Sequence, residues 1–251
     1  MVILIVLTQL NNYVQMKKTC MLIILCFGLF AQAQNSNDLK KHYEAYYEQM
    51  RSHGDVRGAI NALTHLIVFE PNQAKKDTLA YLYANSSQYL QAINVLGAEK
   101  NTSDSDLAVE IKAVSLKSLN QPQLAVQQYD ILFGRKPDIF LAYDLVDLNL
   151  QIGKTAEAKT YIDYGLSNAT DKDMIPFYEG NRPYQVQAKA AFTYQKGILH
   201  YNENKSDVDG AVRIIDEAIA IAPDFLLAKQ IKELLLKQKE IGSNAVTPTQ
   251  N

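Results

Sequence analysis

One recurrence constrains this chain more than any other feature. Small residues stand at Ala59, Ala92, Ala125 and Ala158, separated by 33, 33 and 33 residues. Each sits on an apolar stripe at helical spacing: Ala59/Leu63/Leu66, Ala92/Leu96, Ala125/Tyr129/Leu132 and Ala158/Ile162/Gly165. Residues three and four apart share one helix face, so each stripe is the buried side of a helix. A fifth copy, Ala211/Ile215/Ala218, arrives 53 residues after the fourth. Proline follows three of the small residues at a distance of 12, at Pro71, Pro137 and Pro223. It has no N–H to continue a helix and so marks its end. Self-similarity at a period in this range means stacked supersecondary units.

A second helical segment precedes each stripe. The clearest runs through Leu79, Ala80 and Tyr83, then the polar turn Asn85-Ser86-Ser87, then Tyr89 and Ala92. Gly54 and Gly153 occupy corresponding turns and suit a left-handed helix terminus. Small residues let two helices cross closely while large ones fill the space beside them. One pair cannot bury its apolar face alone, so stability requires several in a stack. The predicted pairs span about 38–71, 74–103, 106–137, 139–169 and 187–223. A closing helix over 224–241, with a Leu/Ile stripe and a lysine-rich back, fits a solvating cap. The polar tail 242–251 is expected to be disordered. The fold class is all-α, a solenoid of about five helix pairs and a C-terminal capping helix.

This pattern resembles the tetratricopeptide repeat. Leu79, Ala80, Tyr83, Tyr89, Ala92 and Leu96 match its order of residues, and DGAVRIIDEAIAIAPDF is the best match to its second helix. The resemblance covers about residues 37–223. Two first helices depart from it, with Lys112 where leucine is usual and Asn149 where an aromatic is usual. A 33-residue period also fits ankyrin repeats, but their T-P-L-H-x-A signature is missing and both helices are too long.

The resemblance implies a superhelix whose first helices line a concave groove, and a non-catalytic role in binding a protein partner. Carried onto this chain, the groove candidates are Glu44, Glu48, Arg51, Asp77, Tyr81, Glu110, Val114, Lys117, Phe140, Tyr143, Asp147, Tyr194 and Tyr201. Some members of the family grip a C-terminal carboxylate with lysine and asparagine. Here Glu44, Glu48, Asp77, Glu110 and Asp147 occupy those places, so the clamp is absent. An acidic groove with aromatic patches prefers a basic or neutral amphipathic peptide. The alternative is a solvated helix face with no ligand.

The jump in spacing places about 20 extra residues near 170–187. Phe177 and Tyr178 lie there between two prolines and Tyr184 just after the second, either contacting a ligand or folding back to seal a repeat junction. Fifteen tyrosines and no tryptophan also admit a glycan-binding accessory protein using Tyr143, Tyr194 and the 174–184 segment. Tyr83, Tyr89, Tyr129 and Tyr161 fall instead at packing positions.

The N-terminus reads as an address. Met16-Lys17-Lys18, an apolar run from Cys20 to Phe30 and Ala31-Gln32-Ala33 make a secretory signal peptide cleaved after Ala33, with Met16 as the expected start. The run is too short for a membrane-spanning helix, which leaves no expected span after cleavage. Both cysteines, Cys20 and Cys26, leave with the leader, which excludes a disulfide framework, a cysteine metal site and a thiol nucleophile. The expected location is the periplasm or beyond it, and the expected partner an envelope protein or peptide. A formal charge of −2 gives no basic field for nucleic acid. His42, His53, His65 and His200 lack metal-ligand spacing, and neither a phosphate-binding loop nor a nucleophile elbow occurs. No cofactor is expected. Asp207 reads as a cap for the last second helix, not a calcium ligand, and an exposed apolar end would permit self-association.

Overall fold

The computed structural model describes residues 15–18, 37–179 and 182–245. Of the expected leader and start site only residues 15–18, which are helical, fall among them. The chain divides into two compact units, Met1–Leu82 and Tyr83–Asn251.

In the first unit, α1 (37–52) is followed by α2 (Val56–Phe69) and by most of α3 (Gln73–Asn85). Asp55 starts α2 by accepting from the Gly58 N–H at 2.9 Å, satisfying one of the N–H groups a helix start leaves open. Ala59, Ala62, Leu63 and Leu66 are the buried face of α2, as the stripe requires. Tyr43 of α1 stacks on His65 at 4.2 Å. Glu70 receives Lys40 at 2.9 Å and Lys75 at 3.0 Å, and these hydrogen bonds hold its carboxyl down to about 2.

The second unit continues with α4 (Tyr89–Leu96), α5 (Asp106–Ser118), α6 (Pro122–Arg135), α7 (Ile139–Gln151) and α8 (Thr155–Asn168). After strands β1 (Met174–Glu179) and β2 (Arg182–Gln187) come α9 (Ala188–Glu203), α10 (Val208–Ile221) and α11 (Leu226–Ala245). Helices adjacent in sequence pack on one another, with α5 on α6, α7 on α8 and α9 on α10. Pro122 and Thr155, the first residues of α6 and α8, stand 33 residues apart, whereas α10 begins 53 residues after α8, beyond the insertion. The main core joins α7 to α11 around Val146, Ile162, Phe192, Ile215 and Phe225. Gly165 belongs to it because a Cβ there would collide with the Phe192 ring.

The turns repeat as strictly as the helices. Gly54, Ser87, Asn120 and Gly153 all have positive φ, between 55° and 75°. The next N–H in each case reaches back five residues: Asp55 to Met50 O, Gln88 to Tyr83 O, Gln121 to Leu116 O and Lys154 to Asn149 O, all at 2.8–2.9 Å. This bond over a left-handed residue is the Schellman ending, which satisfies carbonyls the helix leaves open. An L-residue pays about 1–2 kcal/mol for that conformation, whereas glycine does not. Ser87→Gly is therefore expected to stabilise the protein by about 0.5–1 kcal/mol after glycine's larger unfolded-state entropy is subtracted. A thermal melt showing no rise in Tm would refute it. The fifth turn is built differently: Asp207 caps α10 through the Gly210 N–H at 3.0 Å and also meets His200 Nε2 at 2.7 Å.

Three elements depart from the sequence reading. The second pair was expected to reach 103, but α4 ends at Leu96 because Gly97 turns the chain at φ 79°. Residues 98–104 are instead tied down by side chains. Lys112 Nζ donates to Glu99 O at 3.1 Å, Gln128 Nε2 to Ala98 O at 3.2 Å and Arg135 to Thr102 O at 2.8 Å. The extra residues form an antiparallel hairpin, so the all-α description holds for the solenoid and not for its insertion. At the other end α11 runs to Ala245, taking in residues 242–245 of the expected tail, and 246–251 lie outside the described residues.

The hairpin has two faces because side chains alternate along a strand. Ile175, Phe177 and Val186 are buried, while Pro176 and Tyr178 face away. Phe177 meets Phe225 at 4.8 Å, Tyr184 at 5.6 Å and Tyr143 at 6.0 Å. Tyr184 Oη accepts from the Leu227 N–H at 3.2 Å, linking the hairpin to the start of α11.

Candidate docking clefts

Seven of the thirteen groove candidates line three separate clefts. In the first unit, Glu44 and Glu48 line a cleft of about 430 Å3 with Tyr47, Leu63, Leu66 and Lys75. One turn of helix separates the two carboxylates, which puts them on the same face of α1. Glu48 also pairs with Arg51 at 3.1 Å on the exposed surface.

In the second unit, a cleft of about 350 Å3 opens among α5, α6 and α7. Glu110 and Val114 come from α5, Tyr129 and Leu132 from α6, and Leu141 and Asp144 from α7. Three of the six charged residues that line it, Asp106, Arg135 and Asp144, are in ion pairs, and Lys136 lines it as well. Arg135 bonds Asp106 at 2.5 Å, and Lys117, at its edge, bonds Asp144 at 2.5 Å. Asp138 accepts from the Phe140 N–H at 2.8 Å as the cap of α7. Burial, reinforced by the neighbouring Asp144 carboxylate, pushes the Tyr129 phenol well above its ordinary range. Glu110 is exposed and has no ion pair among the described residues. Val114 beside it is 41% exposed.

The third cleft, about 310 Å3, lies between α7, α9 and α11. It brings together Tyr143, Asp147 and Tyr194 with Gln195 and Leu227. Asp147 Oδ2 accepts from Gln151 Nε2 at 2.9 Å. Burial raises the pKa of this carboxyl, partly opposed by the positive charge of Lys117. Burial also raises the phenol of Tyr143.

Several candidates are placed elsewhere. Asp77 is 6% exposed and accepts from Gln73 Nε2 at 2.8 Å, so it is a buried, hydrogen-bonded residue and not part of an open acidic surface. Tyr81 and Phe140 are exposed but line none of these clefts. Tyr201 Oη donates to Gln238 Oε1 at 2.9 Å, fixing α9 to α11. Tyr194 packs at 5.2 Å on Phe225 and is 8% exposed, so its ring is not free to stack on a sugar. Phe177 is buried as well, and Tyr184 stacks on it. The hairpin face they form packs against the core shared by α7, α9 and α11, leaving Tyr178 as the exposed aromatic of the insertion. Among the described residues no group of three or more His, Cys, Asp or Glu is placed to hold a metal ion, and no helix is long and apolar enough to cross a membrane.

Sequence reasoning passed over Asp106, Arg135, Asp144 and Gln195. Asp144 lies four residues after Phe140 and three before Asp147, a spacing that signals one shared face. Nothing marked Gln195, one polar residue in a run of small and aromatic ones.

Comparison with known proteins places this architecture. The chain is similar to a tetratricopeptide repeat protein from Parabacteroides merdae, with TM-score 0.58 and 16% identity over 82% of this chain and 75% of that one. It is also similar to the MamA protein, with TM-score 0.52 and 17% identity over 73% of this chain and 92% of that one. No protein-family model and no curated protein matches the chain.

Proposed function

We propose that this chain, an α-solenoid of tetratricopeptide-repeat fold, is a non-catalytic scaffold that docks a peptide or protein segment in the cleft among α5, α6 and α7. One observation carries the reading. Glu110, with no cationic partner among the described residues, stands beside exposed Val114 in a cleft walled by Leu132 and Leu141. Charge steers an incoming basic segment and the apolar wall supplies contact area. The paired charges around it hold the walls in place.

The test is capture by crosslinking from an extract of the native envelope, with the full chain as bait beside Glu110→Lys. Reversing one charge in a groove that steers by charge is expected to lower recovery of a specific partner by about tenfold, the effect of roughly 1.4 kcal/mol. Equal recovery by both baits would move docking away from this cleft.

Export belongs to the same reading. The leader's Lys17-Lys18, apolar core and Ala31-Gln32-Ala33 support delivery to the bacterial envelope as a periplasmic or secreted protein. N-terminal sequencing of protein recovered from its own cells should begin at Gln34. An intact leader there would overturn it.

A further inference from the structure

We infer that α11 is a self-association surface, on which two copies of this chain pair their closing helices antiparallel. The inference does not depend on the docking cleft. A helix that only solvates the end of a repeat stack presents a polar outer face. The outer face of α11 is not polar. Its inner side is fixed: Ala228 and Leu235 are buried, Lys232 bonds Asp216 at 2.6 Å and Lys239 bonds Asp209 at 2.7 Å, both on α10. On the other side Leu226, Gln230, Leu234 and Ile241 recur at spacings of 4, 4 and 7, which is one helix face. Leu226 is 48% exposed, Leu234 57% and Ile241 60%. Residues 246–251 carry one large apolar side chain, Val246, too little to cover three.

The charges beside this stripe say what covers it. Lys229, Glu233, Lys237 and Glu240 follow at spacings of 4, 4 and 3, so they form a row along its border with signs alternating plus, minus, plus, minus. Lys229, Glu233 and Lys237 make no ion pair among the described residues. In an antiparallel helix pair this row faces its own copy read backwards. Lys229 then stands opposite Glu240 and Glu233 opposite Lys237, and two-fold symmetry makes each pair twice. Leu234 meets its counterpart beside the axis, and Ile241 lies towards the Leu226 end of the other helix. A parallel pair would set the row against the opposite border, where Ile231 and Gln238 offer no counter-charge. A row complementary to its own reverse fits a second copy of the chain. One face of a 20-residue helix is a small interface, so the dimer is weak, with a Kd of about 10–100 µM.

Analytical ultracentrifugation of the full chain over about 1–300 µM reads this directly, with the mean mass expected to climb from monomer to dimer. Leu234→Lys sets like charges beside the axis and should weaken the dimer by about thirtyfold or more. Glu233→Lys and Lys237→Glu should each weaken it by about tenfold, since each puts like charges opposite one another. The double change restores both pairs with their signs exchanged and should return to within about threefold of the native Kd. All these positions are exposed, so the circular dichroism spectrum should stay native. A monomer throughout the range, dimerisation untouched by Leu234→Lys, or a double variant as weak as its singles would each overturn the antiparallel pair.

Discussion

Replacing Phe192 with alanine is expected to lower the unfolding free energy by about 3–5 kcal/mol, a large fraction of what a domain of this size possesses. The ring is fully buried and stands edge-on to Tyr143 at 5.8 Å. On its other side lies the backbone of Gly165, where not even a methyl group fits. The ring thus fills the space between α7, α8 and α9, and helices held apart elsewhere cannot collapse into the hole. Urea unfolding followed by circular dichroism reads the effect as a shift in midpoint. The pair of residues sharpens the test. Gly165→Ala alone should cost about 1–3 kcal/mol through overpacking. Combined with Phe192→Ala it should cost less than the sum, because the methyl then enters vacated space. Additive costs, or a loss below 1 kcal/mol for Phe192→Ala, would show that the ring does not set this junction.

A comparable loss is expected from Asp104→Ala. Lys112 is 2% exposed, and its ammonium meets Asp104 Oδ2 at 2.5 Å and Glu99 O at 3.1 Å. Removing the carboxylate strands a buried positive charge, at a cost of about 3–5 kcal/mol. The double change Lys112→Leu with Asp104→Ala removes both charges and installs the residue usual at this place in the repeat. It should fall within about 1 kcal/mol of the native protein, since the desolvation cost of the pair disappears with the pair. The contrast between single and double variants in the same denaturation experiment is the prediction. A double variant as weak as the single one would mean that Lys112 acts chiefly by tethering residues 98–104.

The same position shows how far the sequence could be read. Lys112 departs from the repeat pattern, and the departure alone gave no hint of Asp104 eight residues earlier, because their meeting depends on the loop that Gly97 starts. The helices were legible because their buried stripes repeat in phase. So were two of the left-handed turns, at Gly54 and Gly153. Ser87 and Asn120 carry the same backbone with ordinary turn residues, and only their 33-residue phase betrays them. The hairpin announced itself as extra length while its strands went unread. Pro176 and Pro183 stand within the strands, where a two-stranded sheet has open edges that accept proline. Gly180-Asn181 between two six-residue runs was the missed turn signal.

The clefts were legible in direction and not in cover. Asp77 and Glu110 stand one repeat apart and so point alike from their helices, yet Asp77 is buried under a bond from Gln73 and Glu110 is exposed. Periodicity sets the azimuth of a side chain. What lies over it depends on individual neighbours, which is why Asn149 also ends buried, donating to Leu145 O at 2.7 Å.

A stack whose members touch only their neighbours frays from its ends, each terminal helix peeling away with little effect on the next. The hairpin alters that order at the C-terminal end. Phe177 reaches Tyr143 on α7 and Phe225 before α11 at once, so α11 cannot detach without exposing an aromatic cluster anchored two helix pairs upstream. Amide hydrogens from α9 through the first turns of α11 should then exchange together, in one concerted opening, where a simple repeat array would release them helix by helix.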